Sequence, residues 1–275
     1  MPEAPEVQTV LSTLEGQIKN VKIIKVDIRY PKLIGNMDSK KFEEKLKGQS
    51  IQSFYRIGKY LGFETESYDW ICHLRMEGKF YLLDTVPSFE EKHIHAVMEL
   101  ENHLYLCYHD VRKFGRMVLY EKRKDKGSFP CFCHVGKDFL DVDGFYVFSK
   151  FSRMKKAVKT ALLDQSVIAG IGNIYADEIL FACKIHPETK ANLLTLEDCE
   201  KIVYHTKRIL KEAIHYGGTT IRSYTSSLGV TGQYQNYLQV HRREGQKCPI
   251  CHSEIIKIKV GQRSSYLCPE CQKRK

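Results

Sequence analysis

The sequence predicts an α+β protein: a helix-flanked β-sandwich in the N-terminal half, then helices and a cysteine-bearing hairpin. Three observations carry this. Between residues 21 and 120, short runs rich in β-branched and aromatic residues alternate with turn residues. From residue 152 the apolar residues recur at helical spacing instead. Near its end the chain carries two Cys-x-x-Cys pairs.

A chain of 275 residues can bury a sizeable core, as one large domain or two modest ones. Forty-three Lys and Arg against 33 Asp and Glu leave a net charge of +10. That balance suits a polyanion, nucleic acid first, although a solvated basic surface would read the same way. No apolar run reaches the roughly 18 residues of a membrane span, and the N-terminus carries acids where a signal sequence would carry basic and then apolar residues. A cytoplasmic protein with no membrane partner is expected. Six of the ten cysteines are scattered through apolar segments and four fall in the two pairs, which in a reducing compartment points to metal before disulfide.

The first seven residues are Met1-Pro2-Glu3-Ala4-Pro5-Glu6-Val7. Loss of Met1, which the small neighbour Pro2 permits, would leave a secondary amine flanked by two carboxylates. An α-amino group titrates near ~8, so a useful fraction is nucleophilic at working pH and can form an iminium with an electrophilic sugar carbon. Pro5 suits a first helical turn, and Val7, Val10, Leu11, Leu14 and Ile18 recur on one face. An ordinary amphipathic helix with acids near its positive end is the other reading of the same residues.

The strand-like runs are residues 21–29, 51–65, 70–75, 80–83, 94–100, 104–108 and 117–120. Lys59 falls within the 51–65 run, directly after Gly58, and could be a solvated turn lysine. His93 and His95 stand two apart with no third ligand at a suitable spacing, so they read as structural or DNA-facing. A charged run at 121–128 and an aperiodic stretch over 131–150 mark a linker. Beyond it, Ser152 is placed to cap a helix carrying Met154, Ala157, Val158, Ala161 and Leu162. Thr195 begins a longer helix that runs to Gly217-Gly218. Between the two, Gly170 and Gly172 precede Asn173, which is expected to cap the next helix start, an arrangement suited to phosphate. Residues 219–235, with Tyr224, show little periodicity.

Cys248 and Cys251 are followed after 16 residues by Cys268 and Cys271. Four thiolates at this spacing fill a tetrahedral zinc and leave no place for catalytic water, so one structural Zn²⁺ is expected. Between the pairs, Gln262-Arg263-Ser264-Ser265-Tyr266 is expected to form a hairpin tip.

Several of these stretches together resemble the formamidopyrimidine-DNA glycosylase and endonuclease VIII family, which repairs oxidised bases. They are Pro2-Glu3-x-Pro5-Glu6-Val7, Tyr55-Arg56-Ile57-Gly58-Lys59-Tyr60, His73-Leu74-Arg75-Met76-Glu77-Gly78, Asp110-Val111-Arg112-Lys113-Phe114-Gly115, residues 169–178 and the cysteine pairs. The resemblance leans to the bacterial formamidopyrimidine branch. It implies a catalytic β-sandwich domain over 1–130, a linker over 131–150, a helix-two-turn-helix domain with a lesion-capping loop over 151–243 and a zinc finger over 244–275. It also implies an enzyme that is both a DNA glycosylase and an abasic-site lyase, a monomer on double-stranded DNA containing an oxidised base, nucleoid-associated when bound.

By the same resemblance Pro2 is the nucleophile, Glu3 the proton donor and Glu6 the group that holds or tunes the amine. Lys59, Asn173 and Arg263 contact phosphate, with Lys59 also tuning the amine. Met76, Arg112 and Phe114 fill the space left by an extruded base, which chemistry at a stacked nucleotide requires. Three departures stand out: Ala4 replaces a usual leucine, Val240-His241-Arg242 a more typical Val-Tyr-Gly, and Gly136-Lys137-Asp138-Phe139 a Gly-Pro-Glu-Pro segment. The first two lean towards endonuclease VIII and oxidised pyrimidines, while the Met76, Arg112 and Phe114 set and the full-length loop after Gly218 lean to oxidised purines. A non-catalytic, zinc-containing binder of damaged DNA is the reading from another class.

Overall fold

A computed structural model describes residues 1–219 and 232–274. The expectation for the capping loop, including Tyr224, falls outside the described residues except at the loop's ends. Two compact units emerge: Met1–Cys133 joined by Gly217–Gln233, and His134–Tyr216 joined by Tyr234–Lys275.

The first unit begins with α1, Ala4–Ile18. Pro5 lies in its first turn, and Glu3 and Glu6 form a capping box. Its inner face, Val7 to Ile18, is buried. There follow β1 (Ile23–Ile28), α2 (Ser39–Leu46), β2 (Ile51–Ile57), β3 (Tyr60–Thr65), β4 (Tyr68–His73), β5 (Lys79–Leu83), β6 (Ile94–Leu100), β7 (Tyr105–His109) and β8 (Arg116–Glu121). Two four-stranded antiparallel sheets result, ordered β1-β6-β7-β5 and β2-β3-β4-β8.

Val26, Phe80, Met98 and Leu106 of one sheet share a core with Leu61, Phe63, Trp70 and Leu119 of the other, and α1 and α2 add Leu11 and Phe42 to it. This is the helix-flanked sandwich, with a helix that the strand pattern did not disclose. In α2 only Phe42 and Leu46 are large apolar residues, too few to show a period. Asp38 starts it by accepting from the Lys40 amide at 2.8 Å, and Phe42 fits edge-on to Trp70.

The second unit holds β9 (Lys137–Asp138), α3 (Gly144–Phe151), α4 (Val158–Leu162), β10 (Ile168–Ala169), α5 (Asn173–Ala182), α6 (Leu196–His215), β11 (Ile256–Val260) and β12 (Arg263–Leu267). The segment read as an aperiodic linker thus contains a helix. Asp143 caps it, with its carboxylate accepting from the Tyr146 amide at 2.7 Å. Ser152 lies at the C-terminal end of α3 and starts no helix, and α4 begins only at Val158. The prediction at Thr195 holds: Thr195 and Asp198 form a capping box at the start of α6.

Candidate active site and hairpin anchor

In the first unit, the start of α1 gathers the acids. The Glu3 amide donates to Glu6 Oε2 at 2.9 Å, and both acids are nearly buried. Glu6 Oε1 accepts from the Thr219 amide at 2.8 Å and the Thr219 hydroxyl at 3.1 Å. Gly218 reaches this contact at φ +77°, and a Cβ there would meet Glu6 Oε1. Both Glu6 oxygens are therefore engaged in holding the chain, one on α1 and one on the segment after α6.

Lys59 joins from the β2–β3 hairpin. Ile57 pairs with Tyr60, and Gly58 turns the chain at φ 58°. Lys59 is only 5% exposed, which sets it apart from a solvated turn lysine. Burial lowers the pKa of the Met1 amine below its ordinary value. The charges of Glu3 and Glu6 oppose that shift, Lys59 adds to it, and Glu77 opposes it. The terminal amine is thus poised among Glu3, Glu6, Lys59 and Glu77. With Met1 attached the Pro2 nitrogen is an amide, and removal of that one residue would create the secondary amine at Pro2, which is itself buried. Glu77 received no role from the sequence; its only sign there is its position beside Met76.

Met76 lies in the turn between β4 and β5, and Arg112 and Phe114 lie in the loop between β7 and β8. Phe114 is 48% exposed, with the Arg112 guanidinium 4.7 Å from its ring centre. The buried Asp110 carboxylate shapes this loop by accepting from the amides of Arg112 at 3.0 Å and Gly115 at 2.8 Å. His95 Nε2 meets the Asp110 carbonyl at 2.7 Å, so His95 is structural. The sequence offered no signal for this anchoring.

In the second unit, Gln165 organises the turn ahead of α5 by donating to the Leu163 and Ile171 carbonyls and accepting from Gly170. Gly172, rather than Asn173, occupies the N-cap, and Asn173 is the first helical residue. The Asn173 Nδ2 donates to the Ser264 carbonyl at 3.1 Å, linking α5 to β12. The hairpin turn is Gly261-Gln262, with both φ values positive, so Arg263 and Ser264 stand on the strand and not at the tip. Arg263 is exposed.

Below the hairpin lies a buried charge network. Lys159 Nζ reaches Asp177 Oδ1 at 2.7 Å, the Ser264 carbonyl at 2.9 Å and Ser265 Oγ at 2.7 Å. Asp177 Oδ2 meets His241 Nδ1 at 2.7 Å, and Glu178 accepts from the amides of Gln239, Val240 and His241. Burial pushes the Glu178 carboxyl up despite those three donors. The departure at His241 thereby acquires a physical partner in Asp177.

The Sγ atoms of Cys248, Cys251, Cys268 and Cys271 all lie within 4.8 Å of one another. Amides of Ile250 and Cys271 donate to Cys248 and Cys268 sulfur, each at 3.4 Å, as expected around thiolates. Four sulfurs fit tetrahedral zinc, and Phe181, Val240 and Ile255 pack around the site. The centre is structural: one Zn²⁺ would tie both ends of the hairpin.

The sandwich with its buried acids at the chain start, followed by a helical unit with a four-cysteine hairpin, is the architecture of a class of DNA repair glycosylases. Family models bear this out along most of the chain: the formamidopyrimidine-DNA glycosylase N-terminal domain matches residues 1–117, the H2TH domain of the same enzyme 138–225, and the zinc finger found in FPG and IleRS 245–274. The chain belongs to the formamidopyrimidine-DNA glycosylase family. It is 40% identical to the formamidopyrimidine-DNA glycosylase of Bacillus subtilis and 43% to that of Streptococcus thermophilus, over 100% of each chain. The Lactococcus lactis enzyme in complex with abasic-site DNA superposes with a TM-score of 0.91 at 40% identity, covering 99% of this chain and 100% of that one. A mutant of the L. lactis enzyme bound to Fapy-dG DNA matches with a TM-score of 0.91 at 39% identity and the same coverage.

Proposed function

We propose that this enzyme is a bifunctional DNA glycosylase and abasic-site lyase that excises oxidised purines, 8-oxoguanine and formamidopyrimidines, from double-stranded DNA. The observation that carries the reading is the buried chain start, where an amine at Pro2 would stand among Glu3, Glu6 and Lys59. After loss of Met1, the neutral Pro2 nitrogen attacks C1′ of the damaged nucleotide. Glu3 supplies a proton that assists opening of the deoxyribose ring, and the base leaves with the electrons of the glycosidic bond. The iminium between Pro2 and C1′ is an electron sink. Loss of a C2′ proton expels the 3′ phosphate, and a second elimination expels the 5′ phosphate. Glu6 holds the geometry through Glu3 and Thr219.

Met76, Arg112 and Phe114 occupy the gap left by the extruded nucleotide, and Lys59, Asn173 and Arg263 contact phosphates. These contacts position the strand without reading its sequence. The enzyme works as a monomer on one duplex, on the nucleoid in the cytoplasm. Support comes from the names of the relatives and from L. lactis complexes that contain Fapy-dG or abasic-site DNA.

A second reading, an endonuclease VIII-like preference for oxidised pyrimidines, draws on Ala4 and His241 and on an L. lactis Fpg complex with oxidised-pyrimidine DNA. Borohydride trapping separates the readings. Two duplexes are used, one with 8-oxoguanine opposite cytosine and one with an oxidised pyrimidine, and the cross-linked residue is mapped. A cross-link at Pro2 mainly on the first supports the proposal. A preference for the second keeps the amine chemistry and moves the substrate class, while no trapping by processed, zinc-loaded protein leaves a DNA-damage binder.

A further inference from the structure

Met76 and the Arg112–Phe114 pair sit on separate loops, between different strands. Both loops close on one buried atom. Tyr108 of β7 is fully buried, with its ring 5.3 Å from Phe80 in the sandwich core. Its hydroxyl lies 3.4 Å from Asp110 Oδ2, the same oxygen that accepts the Gly115 amide. A Cβ added at Gly115 would collide with that hydroxyl, and so would a Cβ added at Gly78.

Gly78 ends the Met76 turn, with its amide donating to the Leu74 carbonyl at 3.0 Å, and Gly115 ends the Arg112–Phe114 loop. Neither glycine is among those with positive φ, so backbone conformation does not demand glycine at these positions. Close approach does. Both backbones press against the phenol oxygen, which the rigid aromatic core holds in place.

We propose that Tyr108 is a positioning residue whose hydroxyl braces the Met76 turn and the Arg112–Phe114 loop together, so that the wedge residues enter a duplex as one rigid set. This rests on the wedge role proposed above. A wedge must stay rigid while bases unstack around it, because any give in the loop would relax the space it opens. Two loops with one shared stop resist that load together. Tyr108 itself touches no reacting atom in this scheme.

The test compares Tyr108→Phe with wild type in the full-length, zinc-loaded protein. One substrate is a duplex with 8-oxoguanine opposite cytosine, which requires extrusion. The other is a preformed abasic site in single-stranded DNA, where no partner base has to be displaced. The expected result is an approximately tenfold loss of single-turnover excision on the duplex, with strand cleavage at the single-stranded abasic site within about twofold of wild type. Equal losses on both substrates, or no loss on either, overturn the brace.

A double-mutant comparison gives an independent readout. Gly115→Ala should cost less in the Tyr108→Phe background than in wild type, since the more severe of its Cβ's clashes, with the oxygen, is gone while the one with the ring carbon at 2.7 Å remains. Additive losses overturn the proposal. Failure of wild type itself to excise from the duplex would instead remove the glycosylase reading on which the brace depends.

Discussion

The acids at the start of α1 and the charges beneath the cysteine-bearing hairpin are held differently. In the first, Glu6 is held by backbone donors at a helix start and at Thr219, and the terminal amine stands among the charges of Glu3, Glu6, Lys59 and Glu77. In the second, Lys159, Asp177 and His241 are locked into contacts of 2.7 Å with both Asp177 oxygens occupied, and four sulfurs close the hairpin. A group that must give up or take a proton benefits from a held but adjustable setting. An element that must keep its shape under load benefits from a rigid one. This is the contrast that the proposed function expects, with chemistry in the first unit and shape in the second.

Zinc removal is the strongest way to sharpen this contrast, because a structural zinc contributes on the order of 10 kcal/mol to a small finger. Chelation should release hydrogen-exchange protection over β11 and β12 while α1 stays protected, and should weaken binding to abasic-site DNA. Unchanged affinity after verified zinc loss would contradict the division of labour. Next in size, Pro2→Gly and Glu3→Gln should each lower single-turnover base excision by about 10²–10⁴-fold, with zinc content unchanged. Undiminished excision by either variant removes that residue from the chemistry.

Lys159→Met leaves the Asp177 carboxylate buried without its lysine. A loss of about 3–5 kcal/mol is expected, read as a lower midpoint in denaturant unfolding. A shift of less than about 1 kcal/mol would mean the network is not a rigid element.

The smallest effect concerns pH in the first unit. Burial holds His95 below its ordinary 6.5, with Lys113 and His93 adding to the shift and Asp110 opposing it. An unfolded His95 therefore takes up a proton before the folded one does. Its contribution to stability is full above pH 6.5 and is lost as pH falls through the depressed folded value. Unfolding midpoints measured across that range should fall on acidification, and His95→Gln should flatten the slope. An identical slope in the variant would assign the acid sensitivity to other groups.

Much of the fold was legible because strand runs and zinc spacing are local properties of the chain. Local signals failed where the local pattern was thin. Phe42 and Leu46 were too few to announce α2, and Ser152 offered a cap that the chain uses at the end of α3 instead. At Asn173 the cap passed to Gly172, which freed the asparagine side chain to reach Ser264. Other relations lay beyond local pattern. The charge of Glu77 weakly opposes the lowering of the amine's pKa, and Lys159 meets Ser264 across 105 positions of chain.

What the sequence determined by itself was chemistry that neighbouring residues can specify: two acids beside a proline at the chain start, four cysteines in two pairs, and the alternation that makes sheets. What only the tertiary structure decided was the company each group keeps. Glu6 is shared between the Glu3 amide and Thr219, Tyr108 is wedged against Gly78 and Gly115, and His241 is held by Asp177. Burial and charge act through distance in space, and folding sets those distances independently of separation along the chain.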